Sequence, residues 1–261
     1  MKKTFLISII TIVLFSFVMI QCTKENTNEI NTSKENNIEF RSNISIGGEV
    51  LSPTCDIFSD LPGAQCAPED TVTKIITSPN GCNVRVTMHV KFCADFANND
   101  INIEFSDLNW SLTSPFSLGC QNWWMSLFQA QQGQQNQMLD DFEEYIEQAF
   151  EDEYMTDYVI DKGISCNGPF EYASTYFYKS PCTQRCMTPP GSIDEPFFTY
   201  TTPCADDGCC GKYTSYCLNE DGSIIKDGPN TYQITACTLF HPVDCYRETI
   251  QWGDCTDDGC E

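Results

Sequence analysis

The sequence predicts a mainly β, antiparallel, sandwich-like protein that is disulfide-rich and carries one acidic amphipathic helical insertion. Three observations predict it. Seventeen cysteines stand in 261 residues, a density that an oxidising compartment turns into disulfides. Several runs alternate apolar and polar residues with the period of a strand, most clearly Val84, Val86, Met88, Val90 and Phe92. One stretch switches to the helical period instead: Met138, Leu139, Phe142, Tyr145, Ile146, Ala149 and Phe150 recur among Asp and Glu residues.

The elements follow in order. Asn43 to Val50 reads as a short strand, followed by a loop with Cys55, Pro62, Gly63 and Cys66, then a strand over Thr71 to Thr77 and a turn at Pro79, Asn80 and Gly81. The strand beginning at Cys82 is the clearest, and Ile101, Ile103 and Phe105 repeat its pattern, so the two pair as an antiparallel hairpin. Leu108 and Trp110 have the other parity, which predicts a bulge around Ser106 and Asp107. Cys82 and Cys93 lie at opposite ends of one strand, too far apart to pair with each other.

The helical insertion spans about 121–157, with Gln121 to Gln132 as a first segment, Gly133 as a break or kink and Gln137 to Tyr154 as the main helix. After Ile164 the strand pattern returns. Phe170, Tyr172, Tyr176 and Tyr178 share a face, Tyr213 to Leu218 and Ser223 to Lys226 flank a turn from Asn219 to Gly222, and Tyr232, Ile234, Ala236, Thr238 and Phe240 alternate.

At the N-terminus Lys2 and Lys3 precede an almost unbroken apolar run from Phe5 to Ile20, ending in Met19-Ile20-Gln21-Cys22. This resembles a bacterial lipoprotein signal peptide, in which the cysteine is acylated and becomes the first mature residue. The resemblance implies a leader over 1–21, lipidation at Cys22, and anchoring to the cell envelope at the outer membrane. The bland alternative is an uncleaved membrane anchor, but the run is shorter than the usual ~20-residue span. With Cys22 acylated, the remaining cysteines are even in number and can all pair. Residues 22–43 hold too few apolar side chains to order themselves and read as a flexible tether, leaving 44–261 as the domain.

Lys and Arg number 14 against 37 Asp and Glu, a formal net charge of −23. Such a surface repels nucleic acid, so the expected partners are the membrane through its lipid, and a glycan or another surface protein. Zinc is the competing use of cysteine, but no Cys-x2-Cys pair occurs and His89 and His241 are the only histidines. Disulfides are the better account, with Cys182, Cys186, Cys204, Cys209, Cys210, Cys217, Cys255 and Cys260 as candidates. A Cys-x-Asp-Asp-Gly-Cys theme occurs at Cys204–Cys209 and Cys255–Cys260; Asp and Gly favour turns, so each pair reads as the clamp of one tight turn. No cofactor is expected. Asp254 and Asp258 are weak calcium candidates because Asp254, Thr256, Asp258 and Gly259 resemble the opening of an EF-hand loop, although the chain lacks that loop's bidentate glutamate.

No serine-nucleophile elbow, zinc-binding helix, phosphate loop or dinucleotide fingerprint is present, and no catalytic residue is assigned. Two rows are candidate ligand contacts. Tyr172, Tyr176 and Tyr178, with Tyr200, Tyr213 and Tyr232, suit a platform for sugar rings, although aromatics on strands more often form core. Arg85, His89 and Lys91 share the polar face of the Cys82 strand. The expectation is that Glu143, Glu144, Glu147 or Glu151 from the helix approaches this cationic row; without a carboxylate nearby, the row would suit an anionic ligand. The functional expectation is a lipid-anchored surface protein acting as a binding or adhesion module, with carbohydrate as one ligand. The alternatives are a structural envelope protein without ligand and a hydrolase of unrecognised type.

Overall fold

A computed structural model describes residues 45–53, 55, 64–95, 100–113, 116–169, 171–188, 196–205, 208–238, 240–241, 243–245 and 249–257. The leader, the tether and Cys22 lie outside these residues, as do Asp258 and Cys260. Within them the chain runs β1 (Ile46–Val50), β2 (Ala64–Cys66), β3 (Asp70–Thr77), β4 (Asn83–Asp95), β5 (Asp100–Leu112), α1 (Leu118–Gln129), α2 (Gln132–Lys162), β6 (Ala173–Lys179), β7 (Cys182–Met187), β8 (Phe197–Pro203), β9 (Cys209–Leu218), β10 (Ile224–Thr235), β11 (Ile250–Gln251) and β12 (Thr256–Asp257).

The fold is mainly β with two helices, but the antiparallel sandwich is corrected to a single mixed sheet of twelve strands among the described residues. β1 runs parallel to β8, and β5 runs parallel to β6; the remaining ladders are antiparallel. The helical insertion supplies a long crossover between β5 and β6, which parallel pairing requires and a hairpin cannot provide. The β4–β5 hairpin forms as expected, and so does the β9–β10 hairpin around Asn219 to Gly222.

The bulge falls where parity predicts it. Thr87 pairs with Asn109 and His89 with Ser106, so Asp107 and Leu108 together oppose Met88, and Asp107 takes a φ of 51°. Its place decides the topology, because one edge of β5 serves two neighbours: β6 pairs up to Phe105, and β1 pairs from Leu108 onward. The sheet forks at this point into a β6–β9–β10 branch and a β1–β8–β7 branch. Ser52, just past the end of β1, fixes the fork: its amide donates to Asp107 Oδ1 at 2.9 Å, and its hydroxyl accepts from the Asp107 amide at 3.0 Å.

Both helices cover one face of the sheet. α1 starts at Ser117, whose hydroxyl accepts from the Cys120 amide and donates to the Gly81 carbonyl, and the Cys82–Cys120 disulfide fixes it to the start of β4. α2 extends further than its apolar period indicates, 31 residues against the expected Gln137 to Tyr154. Gly133 lies within its first turn, and the break falls instead at Ala130 and Gln131, both in extended backbone. Gly163, at φ 63° in the left-handed region, caps its C-terminal end. The main core lies between this layer and the sheet. Trp110 packs on Phe142 with ring centroids 5.1 Å apart, and Phe105 on Phe150 and Phe177 at 5.8 and 5.0 Å.

Among the described residues seven disulfides join distant parts of the chain: Cys55–Cys209, Cys66–Cys93, Cys82–Cys120, Cys166–Cys217, Cys182–Cys237, Cys186–Cys245 and Cys204–Cys255. Cys210 is disulfide-bonded as well. The clamped-turn reading is thereby corrected for Cys204 and Cys209, since each pairs outside its own turn, and for Cys255. Nearness in sequence misleads here because Cys209 opens β9 while Cys204 follows β8. Cys82 and Cys93 take separate partners, as their distance along β4 demands. Disulfides of this number point to an oxidising, extracytoplasmic compartment.

Candidate functional site

The face of the sheet away from the helices carries both rows singled out in the sequence, and pairing across the strands brings parts of them together. Lys91 on β4 is the ladder partner of Glu104 on β5, Glu104 of Tyr176 on β6, Tyr176 of Tyr213 on β9, and Tyr213 of Asn230 on β10. Tyr176 and Tyr213 stack with centroids 6.0 Å apart, and Tyr232 of β10 meets Tyr213 edge-on at 6.1 Å. Tyr232 lies across Gly211, where an added Cβ would come within 2.3 Å of the ring, so the ring holds this position only over glycine. The three rings are partly exposed. Exposed Asp227 and Asn230, and the Ser174–Ser215 hydroxyl pair at 2.9 Å, flank them.

The other predicted contacts separate from this row. Tyr178 is buried with Cys93 and Cys209 in a small cluster on the same face, and Tyr200 is buried in another around Cys182, Cys186 and Cys204. Tyr172 is exposed just before β6. Arg85 is exposed, while His89 meets Glu69 at 2.5 Å and Lys91 meets Glu104 at 3.8 Å. The expected approach of the helix acids to Arg85, His89 and Lys91 does not occur. α2 packs on the apolar face of β4, through residues such as Val86 and Met88, so the cationic row points away from it; His89 takes Glu69, just before β3, and Lys91 takes Glu104 of β5.

The helix acids meet a different set of cations. Glu143, Glu147 and Glu151 stand four residues apart on α2 and are buried against the sheet. Arg185 of β7 donates to Glu143 Oε2 at 2.8 Å and to Asp140 Oδ1 at 2.5 Å, and Trp110 Nε1 donates to Glu143 Oε1 at 3.1 Å. Lys212 of β9 and Lys179 of β6 both reach Glu147 Oε1, at 3.3 and 3.5 Å. Glu147, followed by Glu144, holds the Lys179 ammonium above its ordinary range against the opposing effect of burial. Glu151 is completely buried; it accepts from the Thr175 hydroxyl, its Oε2 has no partner, and burial pushes its carboxyl up. Lys74 of β3 completes the pattern, bridging to Glu153 and Asp157 at 3.0 Å each.

Sequence reading expected these glutamates to meet strand cations but chose Arg85, His89 and Lys91 of β4, the nearest cationic row in the sequence, and so missed this ladder. The available signal was their four-residue spacing directly after Phe142, Ile146 and Phe150, matched by Lys179, Arg185 and Lys212 within otherwise uncharged strands. Beside the ladder the fork leaves a cavity of about 660 Å³, roofed by α2 and floored by the ends of β1, β6, β8 and β9. Among the described residues no cluster of three His, Cys, Asp or Glu side chains is placed to hold a metal ion; Asp254 is exposed. No protein-family model matches the chain, and neither curated proteins nor solved structures give a match.

Proposed function

We propose that this chain is a lipid-anchored extracytoplasmic binding protein that holds carbohydrate against the row Tyr176, Tyr213 and Tyr232. The carrying observation is three tyrosines on three adjacent strands with their rings in mutual contact and partly exposed. The electron-rich faces of such rings suit the polarised C–H faces of sugars, and Asp227, Asn230, Ser174 and Ser215 stand beside them as hydrogen-bonding groups. Lipidation at Cys22 would supply the outer-membrane anchor, and a tether of about 20 residues reaches roughly 25 Å, enough to hold the platform clear of the headgroups.

Retention of the full chain, purified in detergent, on a panel of insoluble polysaccharides tests the reading. At least one polysaccharide should retain the protein. Tyr213→Ala and Tyr232→Ala should each weaken that retention at least tenfold, whereas Arg85→Glu should leave it unchanged. Failure of every polysaccharide would favour the structural alternative and overturn the reading, as would retention indifferent to both tyrosines. Labelled palmitate should enter the wild type and not Cys22→Ser.

A further inference from the structure

The cavity at the fork lies under α2, apart from the tyrosine row, and the charged groups around it fall into two sets. Glu143, Glu147, Arg185 and Lys212 are buried, two acids with two bases, so the interior is electrically balanced. Asp140 and Glu144 stand exposed on the rim, where Lys179 is half exposed, and solvent screens charges so placed. A charged occupant would give up its hydration without meeting an uncompensated opposite charge inside. The interior therefore suits a neutral molecule.

One oxygen indicates what that molecule must offer. Glu147 is 5 % exposed, and Lys212 and Lys179 both reach its Oε1. Its Oε2 makes no hydrogen bond among the described residues and yet, unlike the sealed Oε2 of Glu151, keeps accessible surface. Glu147 lines the cavity, so that surface faces it. A carboxylate only accepts, and two ammonium groups already answer the charge of this one, so the donor that suits Oε2 is a hydroxyl. Beside it stands Lys179 Nζ, 3.5 Å from Oε1, with hydrogens left for an acceptor. An accepting carboxylate next to a donating ammonium matches two neighbouring hydroxyls, one giving its hydrogen and the other offering its oxygen. Val50 and Leu51, partly exposed on the floor, supply a surface for C–H groups, and about 660 Å³ falls within the range of small-molecule sites.

We propose that this cavity is a binding site for a neutral sugar, gripped by two adjacent hydroxyls, one donating to Glu147 Oε2 and the other accepting from Lys179 Nζ. The site is independent of the tyrosine platform, so either reading can fail without the other.

Calorimetric titration of the full chain, in a detergent without a sugar headgroup, with glucose, galactose and mannose tests it. At least one of the three should bind, and its amino-sugar and uronic acid counterparts should each bind at least fivefold more weakly. A monodeoxy form of that sugar lacking a gripped hydroxyl should lose at least tenfold, because a site built to bond a hydroxyl rejects the analogue without it. Glu147→Gln should weaken binding at least tenfold, but it also leaves Lys212 beside a neutral partner. Lys179→Met is therefore the decisive variant: Lys212 still holds Glu147, the melting temperature should stay close to that of the wild type, and binding should fall at least fivefold. Tyr213→Ala should leave the titration unchanged. Absence of binding by all three sugars, a charged counterpart that binds as well as its neutral parent, full affinity in Lys179→Met, or loss of binding in Tyr213→Ala would each overturn the proposal.

Discussion

Glu151 has its carboxyl enclosed between α2 and the strands β6 and β9, and the enclosure makes ionisation expensive. Burial is the main cause of its raised pKa, and the Thr175 hydrogen bond opposes it only in part. The folded state therefore holds this proton more tightly than the unfolded chain. Between the ordinary glutamate value of 4.5 and the raised folded value, the native state binds more protons, so stability falls as pH rises through that window. Below 4.5 both states are protonated and the group's contribution is fully present. Glu151→Gln keeps the shape without the charge. Its melting temperature should match the wild type at pH 4 and exceed it at pH 8; a variant that loses stability on going to pH 8 as steeply as the wild type would refute the assignment. Arg185 shows the opposite condition, since Glu143 and Asp140 compensate the guanidinium and its cost of burial is met within the pair.

At the scale of elements, two glycines bracket α2 and have opposite roles. Gly133 sits in the first turn with open space where a Cβ would project, whereas Gly163 holds a φ of 63° at the C-terminal cap. Gly133→Ala should stabilise the protein by about 0.5–1 kcal/mol, because alanine loses less freedom in a helix. Gly163→Ala should destabilise it by about 1 kcal/mol, because a Cβ strains the left-handed conformation. Denaturant midpoints of the two variants, moving in opposite directions, check both. Sequence reading took Gly133 for a break, which shows where its reach ends. A composition cue marks a weak helical position, but the chain actually leaves the helix at Ala130 and Gln131. The bulge at Asp107 was legible because Leu108 and Trp110 change parity against Ile101 to Phe105. The fork was not, because parity tells which face a side chain takes and says nothing of which strand docks on the free edge. For the same reason Tyr176 and Lys91 could each be named as candidates from sequence, while their common row depended on a non-local register through Glu104.

The whole molecule divides by how each region is held. α2 and the sheet share a continuous apolar core, and the Cys82–Cys120 and Cys166–Cys217 bonds tie the two ends of the helical layer to β4 and β9. Among its described residues the C-terminal segment from Cys237 onward has only two-residue strands, and it packs on a small cluster around Tyr200 and Val243. Among the described residues three disulfides join it to the rest, through Cys182 and Cys186 on β7 and Cys204 after β8. Each closes a loop of 51 to 59 residues and should contribute ~2–4 kcal/mol by restricting the unfolded chain. With so little apolar surface of its own, the segment depends on those bonds for its order, whereas the helical layer has its core besides. Replacing the Cys182–Cys237, Cys186–Cys245 and Cys204–Cys255 pairs by serine should release the C-terminal amides to fast hydrogen exchange while those of α2 and β4 stay protected. Replacing Cys82 and Cys120 instead should raise exchange across α1 and the start of β4 and lower the global melting temperature. If the triple replacement exposed α2 as fast as the C-terminal segment, the two regions would form one cooperative unit, and the division drawn between core and staples would be wrong.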